Sequence, residues 1–129
     1  MAISKRRSAP IKGYRDLIVW QRAMDLVVAV YRFTSTFPRE ETYALAQQVK
    51  RAAVSIPSNI AEGHGRDHLG DYLRHLSVAN GSLMELETQV QIAKRLSYVS
   101  VDDEEGLLGR TREVGRMLAA LVRALKKRT

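Results

Sequence analysis

Residues 45–66 read LAQQVKRAAVSIPSNIAEGHGR, and this stretch decides the fold. Its polar residues Gln48, Arg51, Ser55, Asn59, Glu62 and Arg66 are spaced 3, 4, 4, 3 and 4 apart. At about 100° per residue they fall within an arc of roughly 60° on a helix. Leu45, Val49, Ala52, Ala53, Ile56 and Ile60 form a second stripe directly beside them. Polar groups next to a core-facing stripe are expected to be at least half buried, and buried polar groups must be bonded. The row therefore points to a specified polar seam, inside the fold or between subunits. Pro57 removes one backbone donor and predicts a kink, with its ring on the side opposite the row.

Helical spacing extends outward in both directions. A first helix is expected over 16–36, with Asp16 as N-cap and Pro38 as the stop. The second runs from about Glu40 to Gly63 or Gly65. The third covers 67–97, where Leu69, Tyr72, Leu76, Ala79, Leu83, Leu86, Val90 and Ala93 step by alternating threes and fours. That is the seam of a bundle. The fourth begins at Ser100 or Asp102, with Leu107, Thr111, Val114, Leu118, Leu121 and Leu125 facing inward. Ser100-x-x-Asp103 and Asp102-x-x-Glu105 are capping signals. Short loops make sequence neighbours antiparallel. The expectation is an all-α, up-down-up-down antiparallel four-helix bundle over 16–129, preceded by a basic arm over 1–15.

Charge is concentrated at the two ends. The 129 residues carry 21 Lys and Arg against 14 Asp and Glu, a formal net charge of +7. Residues 1–15 hold five basic groups and no acid, and 16–100 hold nine of each. Basic terminal segments attract phosphate backbones, here through Lys5, Arg6, Arg7, Lys12 and Arg15, and through Arg116, Arg123, Lys126, Lys127 and Arg128. The simpler account is solubility plus matching of the last helix's dipole, acids first and bases last. The absence of cysteine excludes disulfides and thiolate chemistry. The opening MAISKRRSAPIKG lacks the apolar run of a signal peptide, and the most apolar run, 17–33, contains Arg22, Asp25 and Arg32. A cytoplasmic location and no membrane span are expected.

The first helix has more apolar surface than a bundle needs. Gln21, Arg22, Asp25 and Arg32 occupy about 100° of arc, which leaves roughly 260° apolar. Ile18, Val28 and Ala29 lie on the surplus and are assigned to a subunit interface.

Catalytic constellations are weak. His64, His68, Asp71 and His75 have metal-ligand spacing, but Gly63 and Gly65 break the helix between them. Glu62 and Glu85 lack the histidine three residues on that a di-iron bundle requires. They are assigned instead to ion pairs with Arg51 or Arg66 between the second and third helices. No glycine-rich phosphate loop follows a strand. No catalytic residue, metal or cofactor is expected, and the chain reads as a non-enzyme. Gly81-Ser82, in mid-helix, implies close approach to the second helix, with Ser82 bonding Asn59.

The residues Arg51-Ala52, Ser55-Ile56, Asn59-Ile60-Ala61-Glu62-Gly63 and Gly65-Arg66 also carry a resemblance. So do Gly81-Ser82-Leu83 and Glu85-Leu86-Glu87, with Leu17, Val19-Trp20, Ala23 and Leu26 upstream. Over about 14–125 the chain resembles the four-helix-bundle proteins of 23S rRNA intervening sequences, a family related to the accessory variability determinants of diversity-generating retroelements. The resemblance implies a ring-like homopentamer and, by way of the retroelement relatives, binding to nucleic acid and a reverse transcriptase. The leading reading is a homo-oligomeric bundle whose basic ends bind RNA, DNA or a nucleic-acid enzyme. The alternative is a protein-interaction module without a nucleic-acid role.

Overall fold

The computed structural model describes residues 10–128. A short 3₁₀ turn, Tyr14–Asp16, leads into α1, Ile18–Thr34. A second 3₁₀ turn, Arg39–Glu41, precedes α2, Leu45–His64; α3 is Leu69–Arg95 and α4 is Val101–Lys126. No strand occurs among the described residues. Each helix packs on its sequence neighbours, and α1 also packs on α4, so the four enclose one core. The α2–α3 contact is the most extensive.

The apolar stripes face inward as their spacing requires. Val49, Ala53, Ile56 and Ile60 of α2 have no exposed surface, nor do Ala79, Leu83, Leu86, Val90 and Ala93 of α3. From α4, Leu107, Val114, Leu118 and Leu125 complete the core. Pro57 is buried inside α2, and the helix continues through it to His64.

Local chemistry sets the helix ends. Asp16 is not a helix cap: its Oδ2 accepts the Lys12 N–H at 2.9 Å, and α1 starts after Leu17 with no side-chain cap. The expected start of α2 near Glu40 is also displaced. The chain first makes the 3₁₀ turn, and the Glu41 carboxylate accepts the Leu45 N–H at 3.1 Å, an orphan donor of the first turn. Ser100 does cap α4, accepting the Asp103 N–H at 3.0 Å. The end of α3 is a Schellman motif: Tyr98 N–H donates to Ala93 O and Ser97 N–H to Lys94 O. Ser97 occupies its left-handed position at φ 62°.

Candidate functional site

The polar row of α2 becomes a bonded seam only at its centre. Ser55 and Asn59 are half-buried against α3, whereas Gln48, Arg51, Glu62 and Arg66 are exposed. Asn59 Nδ2 donates to Ser55 O at 2.9 Å and to Ser55 Oγ at 3.1 Å. With its amide hydrogens engaged there, Asn59 Oδ1 accepts from His75 Nδ1 at 3.0 Å. This bond requires a proton on Nδ1, and His75 Nε2 is buried with no hydrogen-bond partner among the described residues. Ser55 Oγ also meets Ser82 Oγ at 2.8 Å. Four side chains thus link two helices, and the serines contact an amide and each other rather than the imidazole. Nothing in the seam positions a base to activate a serine.

Three expectations fail here. Glu62, Glu85, Arg51 and Arg66 form no ion pairs with one another, and all four are exposed. Glu85 instead accepts from Gln89 Nε2 at 3.3 Å, one turn along its own helix. Asn59 pairs with His75 rather than Ser82, and Ser82 pairs with Ser55, one helical turn from the expected register. Gly81 is exposed, and a Cβ there would meet nothing within 4 Å. The close approach occurs at Gly63, where a Cβ would lie 2.8 Å from His75 Cβ and 3.0 Å from Tyr72 Cδ1.

His75 entered the sequence reading only through the metal-ligand spacing it shares with His64, His68 and Asp71. It is 7% exposed, on the buried face of α3. The His64 ring packs edge-on against Tyr72, centroids 5.8 Å apart, and His68 sits at the N-cap of α3. His64, His68, Asp71 and His75 therefore do not converge, and no three candidate metal ligands cluster among the described residues.

Two further tethers were not legible in the motifs. Thr111, fully buried on α4, donates to Glu87 Oε2 on α3 at 2.6 Å. The Tyr98 hydroxyl donates to Glu41 Oε2 at 2.7 Å, which joins the turn before α2 to the turn after α3. That bond and the Leu45 N–H hold the Glu41 carboxyl below its usual range. The same bond, with burial and the negative charges of Glu41 and Glu40, pushes the Tyr98 phenol up.

The basic positions divide by place. Lys5, Arg6 and Arg7 lie outside the described residues. Lys12 and Arg15 are exposed before α1, with the Arg15 guanidinium 4.8 Å from the Tyr14 ring centroid. Arg116, Arg123, Lys126, Lys127 and Arg128 are exposed on or just after α4. On α1, Ile18 and Val28 are about half exposed, while Ala29 packs partly against the chain's own core. Met24 and Tyr31 join Val28 on an apolar face spaced by four and three residues. No helix among the described residues is long and apolar enough to cross a membrane.

The fold and its polar α2–α3 seam define a small all-helical bundle protein. Residues 15–120 match the model of the 23S rRNA-intervening sequence protein family, and the chain belongs to that family. A crystal structure of a protein of unknown function from the S23 ribosomal protein family of Bacteroides thetaiotaomicron is similar, with a TM-score of 0.76 at 18% identity. The match covers 82% of this chain and 96% of the other. Comparison with curated proteins finds no match.

Proposed function

We propose that this chain is a non-enzymatic, cytoplasmic homo-oligomer, a pentamer on the family resemblance, whose clustered basic ends bind nucleic acid or a nucleic-acid enzyme. The observation that carries this reading is the placement of Arg116, Arg123, Lys127 and Arg128, all exposed toward one end of α4. Both ion pairs among the described residues use Arg22, with Asp25 at 4.0 Å and Glu113 at 3.7 Å. Contacts would be mainly to phosphates, hence sequence-tolerant and salt-sensitive. Repeated subunits raise a weak contact through avidity. The resemblance to retroelement accessory proteins extends the proposal to a reverse transcriptase as partner.

The test is anisotropy of labelled RNA and DNA oligomers. Binding is expected at about 50 mM salt, with a steep loss by about 200 mM. No binding at the lower salt would reject the nucleic-acid role.

A second reading is a protein-interaction module with no nucleic-acid role. The exposed apolar face of Met24, Val28 and Tyr31 favours it, as does Tyr43, which is 90% exposed. Specific capture of one protein after nuclease treatment, by wild type and not by Val28→Glu, would select it.

A further inference from the structure

The groove between α3 and α4 opens where its walls carry small residues. Gly70 and Ser77 of α3 and Ala119 of α4 line a cleft of about 610 Å³, near the start of α3 and the end of α4. A Cβ on Gly70 would meet nothing within 4 Å, and Ser77 and Ala119 are exposed. Leu73 and Val122 are only partly buried against the core. Their remaining surface, beside the buried Leu76 and Leu118, gives the cleft an apolar floor. Ser77 and Asn80 add a hydroxyl and an amide to its wall.

Positive charge runs along the same line. Arg112, Arg116, Ala119, Arg123 and Lys126 are spaced 4, 3, 4 and 3 apart, which makes one exposed stripe of α4. Ala119 interrupts the basic stripe at the cleft, and Arg74 of α3 lines the cleft together with Arg123 and Lys126. No acidic residue lines it. Arg74, Arg112, Arg116 and Arg123 take part in no ion pair among the described residues.

The occupant must be anionic and must also present an apolar face with polar edges. A duplex meets only the first condition, because its bases are paired and stacked inside. An unpaired nucleotide meets both. Its phosphates suit guanidinium groups, its base can lie on apolar side chains, and its edges can bond an amide and a hydroxyl. No aromatic residue lines the cleft, so the aliphatic floor would take the place of a stacking ring.

We propose that the α3–α4 cleft takes one unpaired base of a single-stranded nucleic acid, with the flanking phosphates on Arg74, Arg116 and Arg123. This rests on the nucleic-acid reading above and deepens it, adding a strand form and a base contact that phosphate attraction alone does not give.

Abasic strands test the base contact. Full-length protein is titrated at about 50 mM salt with a labelled single strand, its matched duplex and an abasic single strand of equal length. The abasic strand keeps every phosphate and lacks the bases. The intact single strand is expected to bind about tenfold more tightly than either, the effect of burying one base. Ser77→Leu/Ala119→Leu fills the cleft from two exposed positions and leaves every basic group in place. With a thermal melt showing that it folds, this variant is expected to lose the preference and keep its binding to the abasic strand. If it fails to fold, the wild-type comparison alone decides. A duplex or abasic strand that binds as tightly as the intact strand would overturn the base pocket and leave the phosphate reading standing. A folded variant that keeps the preference would do the same. So would one that changes only its mass in sedimentation, which would assign the cleft to a contact between copies. No binding of any strand would overturn both the pocket and the nucleic-acid reading.

Discussion

Gly63 and Gly81 show that the same residue type can serve opposite ends. At Gly63 an added methyl meets His75 Cβ at 2.8 Å and the Tyr72 backbone oxygen at 3.2 Å, and neither can swing away as a flexible side chain would. Gly63→Ala should therefore force α2 from α3 and lower the melting temperature by several degrees. At Gly81 the methyl enters open space, so Gly81→Ala should stabilise by about 0.5–1 kcal/mol through helix propensity. Denaturant midpoints for the two variants should move in opposite directions. Ser97 gives a third residue-level prediction. Holding a non-glycine residue at φ 62° costs roughly 1–2 kcal/mol, which glycine avoids at a smaller entropic cost. Ser97→Gly should raise the urea midpoint by the equivalent of up to about 1 kcal/mol.

Asn59 is the hub of the seam. Asn59→Ala leaves the His75 Nδ1 hydrogen buried without an acceptor, in addition to the orphaned Nε2, and should cost about 1–3 kcal/mol. A double-mutant cycle with His75→Leu should give a coupling above 0.5 kcal/mol, as expected for contacting residues. The presence of the seam was legible, because Ser55 and Asn59 stand beside a continuous apolar stripe. Its partners were not. Which residue of α3 faces Asn59 depends on the relative translation of two helices, and periodicity within either helix leaves that free. The expected register was one turn out for this reason.

At the scale of elements, the threes and fours of α3 and α4 report burial faithfully. The row from Tyr72 to Ala93 is buried throughout. The beginnings of α1 and α2 were less legible, because Asp16 and Glu41 spend their carboxylates on nearby backbone N–H groups rather than as N-caps. Glu41 also ties the α2 entry to the turn after α3 through Tyr98. This tie makes a pH prediction whose sign is set by the lowered Glu41 pKa. Its stabilisation is present above the unfolded carboxyl value and is lost as pH falls through the lower folded value. At the alkaline end, the raised Tyr98 pKa means stabilisation present below the unfolded phenol value and lost as pH rises through the folded one. Thermal melts of Glu41→Gln and Tyr98→Phe should show flatter acid limbs than wild type. An unchanged acid limb in both would remove Glu41 from the account.

The whole molecule has a core its four helices can close and an outer surface they cannot. Val19, Ala23, Leu26, Val30 and Phe33 satisfy the inner face of α1, yet Ile18, Met24, Val28 and Tyr31 remain 42–52% exposed. The excess was legible as an apolar arc too wide for one bundle, although Ala29 belongs partly to the chain's own core. What covers that excess could not be read from one chain, because apolar surface is non-directional and names no partner. Charge adds a second asymmetry, with acids at one end of α4 and bases at the other. We propose that self-association covers the apolar excess. Native mass spectrometry of the nuclease-treated protein at micromolar concentration tests this most directly. The account predicts a whole-number multiple of the 14.5 kDa chain, fivefold in the leading reading. A single species of 14.5 kDa at every concentration would contradict it.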